Sequence, residues 1–340
     1  MSDPEGLDLG ALRVWIDAQA PGLVDGDLSA ELITGGKSNL TYSVTDGTHT
    51  YVVRRPPLGH VLATAHDMSR EYTVMAALAP TDVPVPAMHA LCEDTDVIGS
   101  PFYVMEKVAG TPYSRSADLE VLGETRTRAI TERMVDTLAA LHAVDYAAVG
   151  LSEFGRPQGY LGRQLGRWKK QLDSSRSRDL PGMDELIAGL DATLPTESGA
   201  TIVHGDYRLD NLLVDDSDQV TAVLDWEMST LGDPLTDVAV LLAYQQMGEG
   251  GGAEKTNVVT DAPRAPGYLS RDEIVERYAN ATGRDVSHLG FHLGLAFFKL
   301  SVILEGIHYR HAHGQTVGAG FDGIGDMIAP LIDAGRAAIR

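Results

Sequence analysis

The chain has 340 residues, with 27 Lys or Arg against 48 Asp or Glu and a formal net charge of −21. That excess of negative charge repels nucleic-acid phosphates and anionic lipid surfaces, so neither nucleic acid nor a membrane is expected as a partner. The length suits two cores, the single Cys92 forms no intrachain disulfide, and the acidic start MSDPEGLDLG lacks the basic-then-apolar pattern of a secretion signal, so a cytoplasmic location is expected.

Leu9, Leu12, Trp15 and Ile16 recur at helical spacing and predict a leading helix over 7–19. Residues 31–33 read as a strand, 34–39 as a tight loop, 40–45 as the returning strand and 49–54 as a third, after the Asp46-Gly47 turn. Gly35, Gly36 and Ser38 in that loop are candidates to offer backbone N–H groups to phosphate oxygens, although two adjacent glycines also serve as an ordinary hairpin turn. After Pro56-Pro57, Met68, Tyr72, Met75 and Leu78 mark one stripe of a helix over 64–78, with Glu71 beside it. Two more strands, 88–92 and 102–105, run into Glu106-Lys107-Val108-Ala109-Gly110.

Ile130, Met134, Leu138 and Leu141 predict a long helix over 126–142, which His142 closes as a helix-end cation or a buried structural contact. Helices are expected over 160–174, 183–193, 270–282, 286–312 and 321–339. The most apolar of them, near 289–307, is interrupted by Lys299 and Glu305 and so reads as a buried helix of a soluble lobe. The polar, small-residue stretch 248–267 reads as a mobile loop or lid. His308, His311 and His313 lie at a helix end without an Asp or Cys in ligand register and read as solvated cations.

The chemistry concentrates in 201–239. A strand at 201–203 ends in His204-Gly205-Asp206, four residues separate Asp206 from Asn211, and apolar runs at 212–214 and 220–224 flank a polar turn before Asp225. Transfer of a γ-phosphoryl group is mostly positioning plus neutralisation by Mg²⁺, a hard cation that prefers oxygen ligands. In this pattern Asn211 and Asp225 are the candidate Mg²⁺ ligands, Asp206 the candidate base for an acceptor hydroxyl, and His204 a supporting residue. Asp and Asn also form turns for local reasons, the bland alternative for all three.

HGDYRLDN, VLDWE and LGDPLTDVA together resemble the aminoglycoside phosphotransferase and choline kinase superfamily, most closely its branch fused to acyl-CoA dehydrogenases. The resemblance implies an α+β, bilobal protein-kinase-like fold: an N-lobe over 1–105 with a small antiparallel sheet, a hinge over 106–110, and a larger mostly helical C-lobe over 111–340. It implies ATP and Mg²⁺ as cofactors, Arg54 in the place of the kinase phosphate-binding lysine with Glu71 as its partner, Glu106 and Val108 in the adenine-binding hinge, and Asp237 as a brace for the catalytic loop. Arg54 suits phosphate because its planar fork stays charged. Trp226-Glu227 replaces the Phe-Gly of protein kinases and no Ala-Pro-Glu segment follows, so a phosphorylation-gated activation loop is not expected.

The leading expectation is a kinase acting on a small-molecule hydroxyl. The branch points toward a hydroxyacyl-CoA or related metabolite, with Arg163, Arg167, Lys169 and Lys170 as a local basic patch in an acidic chain. An aminoglycoside-type antibiotic kinase is the alternative acceptor class, and a non-catalytic nucleotide-binding scaffold is the alternative of another kind. The acceptor itself and the oligomeric state are not written in the residues.

Overall fold

The computed structural model describes residues 3–33, 39–58, 67–250, 259–314, 321 and 323–340. Gly35, Gly36 and Ser38 lie outside the described residues. The chain forms two compact units, Met1–Gly110 with Thr221–Met228, and Thr111–Val220 with Ser229–Arg340.

The first unit holds helix α1 (Leu9–Gln19), strands β1 (Ser29–Leu32), β2 (Leu40–Thr45) and β3 (Thr50–Arg55), helix α2 (Met68–Leu78), and strands β4 (Met88–Cys92) and β5 (Phe102–Glu106). The five strands make one antiparallel sheet in the order β1-β2-β3-β5-β4. Side chains alternate along a strand, so β3 serves two faces. Tyr51 and Val53 join Tyr42, Val44, Phe102 and Val104 against Leu12 and Ile16 of α1. Val52 and Arg54 take the other face, and Arg55, back on the first, donates to the Ile98 carbonyl at 2.9 Å. Helix α2 starts at Asp67, whose side chain accepts from Arg70 N, and it packs on β4 and β5.

Residues 221–228 belong to this unit, whereas the sequence reading placed all of 111–340 in the second lobe. Among the bonds that hold them there, Val223 N donates to Pro84 O at 2.8 Å and Thr221 Oγ1 to Ala109 O at 2.8 Å, and within the segment the fully buried Trp226 donates Nε1 to Val223 O.

The second unit is mostly helical: α3 (Ser116–Leu122), α4 (Glu124–Ala143), α5 (Tyr160–Ser175), α6 (Met183–Ala192), α7 (Leu235–Glu249), α8 (Arg271–Thr282), α9 (Leu289–Ala312) and α10 (Ile328–Ala338). Strands β6 (Thr201–Val203) and β9 (Thr230–Gly232) pair antiparallel, β7 (Leu212–Val214) follows the 204–211 loop, and β8 (Val220–Val223) begins in this unit and continues into the first. Helix α9 is the spine, packed against α5, α6, α7 and α10. It is long and apolar enough to cross a membrane by composition, but 78% of that apolar window is buried inside the protein. Its Glu305 is fully buried and paired with Arg178 at 3.1 Å, which explains how a carboxylate sits in an apolar helix.

The expected loop over 248–267 is corrected at both described ends. Helix α7 runs on to Glu249, and 259–267 carries a 3-10 turn at Ala262–Arg264. Ser116 N donates to Asp261 Oδ1 and Ala262 N to Ser114 O. Gly267, at φ +88, lies so close to the Glu124 carbonyl that a Cβ would stand 2.2 Å from it. This half is packed down rather than free to swing; residues 251–258 lie outside the described set.

Candidate active site

In the second unit the strand β6 delivers His204-Gly205-Asp206 into a sharp turn with Gly205 at φ +87, a conformation that glycine adopts without a Cβ penalty. Asp237, in the first turn of α7, is the fixed point. Its Oδ2 accepts from His204 N and its Oδ1 from Gly205 N, each at 2.7 Å. His142 Nε2 lies 3.2 Å from Oδ2, and His142 Nδ1 lies 2.7 Å from the Tyr278 hydroxyl. Asp237 and His204 have no solvent exposure and His142 almost none. Burial alone would raise the Asp237 pKa; the His142 bond and charge, then His204 and the Gly205 N–H, outweigh it and hold the carboxylate below its usual range. His142 is therefore a buried structural contact.

The rest of the loop is arranged around Asp206. Its N–H donates to His204 Nδ1 at 3.2 Å. Asn211 Nδ2 donates to the Asp206 carbonyl at 2.9 Å and lies 3.4 Å from Asp206 Oδ2. That orientation commits the amide nitrogen and leaves Asn211 Oδ1 as the atom able to bind a cation. Arg208 Nε stands 3.6 Å from Asp206 Oδ2, its Nη2 is 2.9 Å from Asp210, and its guanidinium lies over the Tyr244 ring at 4.6 Å. Tyr207 is fully buried and donates to the Met134 carbonyl at 2.7 Å, which pins the loop to α4.

In the first unit a second cluster forms around Arg54. Its Nη2 donates to Asp225 Oδ1 at 2.7 Å and its Nη1 lies 3.3 Å from Glu71 Oε2. Tyr103, directly across the β3–β5 pair from Arg54, donates its hydroxyl to the same Glu71 oxygen at 3.0 Å. A lone glutamate on an amphipathic helix would ordinarily face water, yet Glu71 has no exposure at all. Burial pushes its carboxyl above the usual range, Arg54 pulls it down, and Asp225 adds to the rise. Asp225 itself has φ +66, which Asp tolerates better than most side chains. Asn39, the first described residue after the glycine loop, directs Nδ2 to Glu71 Oε1 at 3.3 Å and to Glu227 Oε2 at 3.4 Å.

Arg54 thus bonds two carboxylates, Glu71 and Asp225, and Asn39 links Glu71 to Glu227. Among the described residues no three or more His, Cys, Asp or Glu side chains cluster as a metal site, the end of α9 included. Mg²⁺ is ordinarily bound by one or two protein oxygens together with phosphate oxygens and water, and Asn211 Oδ1 in the second unit and the Asp225 carboxylate in the first are oxygens of that kind.

At the hinge, Glu106 N donates to Ala87 O at 2.8 Å and the Glu106 carboxylate accepts from Ala87 N at 3.2 Å. The Glu106 amide is thereby committed to the sheet, and Val108 keeps its candidacy unaltered. Of the proposed basic patch, Arg163, Arg167 and Lys170 line one cavity of about 580 Å³ along α5 with Gly166 and Gln171. Lys169 does not join them, being paired with Asp191 at 2.5 Å.

Sequence reasoning missed Tyr103, Asn39, Glu227 and Lys299. Lys299 had a visible signal, a lysine in an otherwise apolar helix; Tyr103 and Asn39 had none, because their partners are distant in the chain.

Comparison with known proteins gives the family and the fold. Residues 29–274 match the phosphotransferase enzyme family. The chain is 33% identical over 343 residues to acyl-CoA dehydrogenase family member 11 of Gallus gallus, covering 97% of this chain and 43% of that protein. It is 36% identical over 297 residues to acyl-CoA dehydrogenase family member 10 of Mus musculus, covering 84% and 27%. It therefore spans less than half of these curated relatives. A crystal structure from Ralstonia eutropha, provisionally assigned as an aminoglycoside phosphotransferase, superposes with a TM-score of 0.84 at 36% identity over 98% of both chains. A thermostable aminoglycoside phosphotransferase solved with AMP-PNP and hygromycin B shares the fold, with a TM-score of 0.61 at 15% identity over 97% and 98%. The match over 29–274, the 36% identity over 98% of both chains, and the five-stranded sheet of one unit with the helices of the other agree: the chain belongs to the phosphotransferase enzyme family, on a kinase-like α+β fold.

Proposed function

We propose that this protein transfers the γ-phosphoryl group of ATP, with Mg²⁺, to the hydroxyl of a small molecule in the cytoplasm. The observation that carries the reading is the Asp206 loop, whose backbone is held by Asp237 at two N–H groups and whose carboxylate is left at the end of a rigid turn. Asp206 accepts the acceptor's hydroxyl proton as the new P–O bond forms and the bond to the β-phosphate oxygen breaks, releasing ADP. Asn211 Oδ1 and Asp225 would hold Mg²⁺, which supplies neutralisation of phosphate charge. Arg54 serves the phosphates, with Glu71 keeping its fork in place; the 34–38 loop serves them too, and Val108 serves the adenine. In this reading 1–105 is the nucleotide lobe, 106–110 the hinge and 111–340 the acceptor lobe, apart from the 221–228 excursion.

For the acceptor we favour a hydroxylated anion, a hydroxyacyl-CoA or related metabolite, over a polycationic aminoglycoside. The support is the cavity lined by Arg163, Arg167 and Lys170, a basic site on a chain of net charge −21. The test is ADP release by purified protein against matched panels of hydroxyacyl-CoA thioesters and aminoglycosides, with Asp206→Asn as the blank. Turnover confined to the aminoglycoside panel would reverse the acceptor class. ATP binding with no release above the blank for any acceptor would favour the non-catalytic scaffold.

A further inference from the structure

We propose that Lys299 is a positioning residue of the phosphoryl-transfer loop, fixing the peptide on which Asp206 is carried. The inference rests on the reading given under Proposed function. Lys299 lies in α9 between Phe298 and Leu300, both essentially buried, and is itself only 7% exposed. Burying an ammonium is costly unless it is hydrogen-bonded and opposed by negative charge, and a leucine or methionine would fill the same space without that cost.

The ammonium has a specific partner. Lys299 Nζ donates to the Gly205 carbonyl at 2.7 Å. The Gly205 N–H is bound by Asp237 Oδ1. Both polar groups of the left-handed residue are therefore gripped, the N–H from α7 and the carbonyl from α9. Helix α5 adds the face of Trp168, whose ring centroid is 5.8 Å from the ammonium. Burial lowers the Lys299 pKa, the carboxylates of Asp206 and Asp237 oppose that shift, and Arg167 and Arg208 add to it.

Gly205 immediately precedes Asp206, so rotation of their shared peptide swings the carboxylate. Displacement of a reacting group by an ångström costs on the order of a hundredfold in rate. The nucleotide-side residues Arg54 and Asp225 belong to the other unit. Loss of the ammonium should therefore slow turnover and spare nucleotide affinity, a separation that general loss of stability does not produce.

The experiment compares wild type, Lys299→Met, Lys299→Arg and Asp206→Asn for ADP release from MgATP, with water or an acceptor found in the screen, and for MgATP Kd. Lys299→Met is expected to lower kcat by about tenfold or more with Kd held within about threefold, and Lys299→Arg, which keeps charge and donors, to recover most of the loss. If Lys299→Met does not fold, Lys299→Gln takes its place with the same expectation. Wild-type kcat in the uncharged variant, a parallel loss of kcat and MgATP affinity, or an arginine variant as slow as the uncharged one each overturn the inference. Wild-type release no faster than Asp206→Asn overturns the proposed function itself, and this inference with it.

Discussion

Arg54 and Asp225, 171 positions apart in sequence, are joined by a 2.7 Å hydrogen bond in which the guanidinium bridges to the buried Glu71. Arg54 is thus the only cation among the described side chains bonded to Glu71 and Asp225. Arg54→Ala leaves Glu71 buried without its cation and is expected to cost about 3 kcal/mol, read as a fall in the denaturation midpoint. The added change Glu71→Gln should recover part of that loss. MgATP affinity should fall further in Arg54→Ala than in Arg54→Lys, because charge matters there more than the fork.

Asp225 is expected to separate metal from nucleotide. In Asp225→Asn the stabilisation by ATP alone should persist, while the additional rise in Tm caused by Mg²⁺ should largely vanish, since a neutral amide is a weaker ligand for a hard cation. Thermal shift with ATP, with and without Mg²⁺, reads both terms on one preparation. An unchanged Mg²⁺ increment would remove Asp225 from the metal site.

Asp206→Asn should act on chemistry alone. Asp206 belongs to the second unit, and its backbone is fixed by bonds that the substitution leaves in place. The expected result is an MgATP Kd within about threefold of wild type and turnover lower by about two orders of magnitude or more. Intact turnover would make Asp206 a turn residue; a collapse in ATP binding would make it a metal or loop-folding residue.

A pH dependence follows from Asp233, at the entry to α7. Burial pushes its pKa up, but His292 at 3.1 Å and the Ser198 N–H and hydroxyl at 2.6 and 2.7 Å pull it below the usual value. With the folded pKa depressed, the carboxylate contributes stability above the unfolded pKa of about 4 and loses it as pH falls through the folded value. The Tm gap between wild type and Asp233→Asn should be widest near neutral pH and close as the pH drops below about 4.

Much of the site was legible because it is local in sequence. His204, Asp206 and Asn211 sit within eight positions, and the spacing of strand, turn and strand already specified which side chains could share one loop. Several elements were readable from apolar periodicity, since β2, β4 and α5 fall almost where alternation and helical spacing put them, whereas α3 and β9 were not foreseen. The place of Lys169 in the patch and the packing of 259–267 escaped the sequence for one reason: composition reports polarity but not the partner, and Asp191 and Ser116 are the partners that bind them.

The sequence by itself determined the family, through the motifs around Asp206, Asn211 and Asp225, and named those three as the candidates for its chemistry. Only the tertiary structure decided which groups hold those residues still. Glu71 is a solvent-facing helix carboxylate until the sheet brings Arg54 and Tyr103 to it. Asp237 is a helix-start acid until the chain returns its carboxylate to two amides some thirty positions earlier. Lys299 is an interruption in an apolar helix until α9 passes the Gly205 carbonyl. Hydrogen bonds act only over about 3 Å, so a partner far along the chain leaves no periodic mark and appears only when the fold closes that distance.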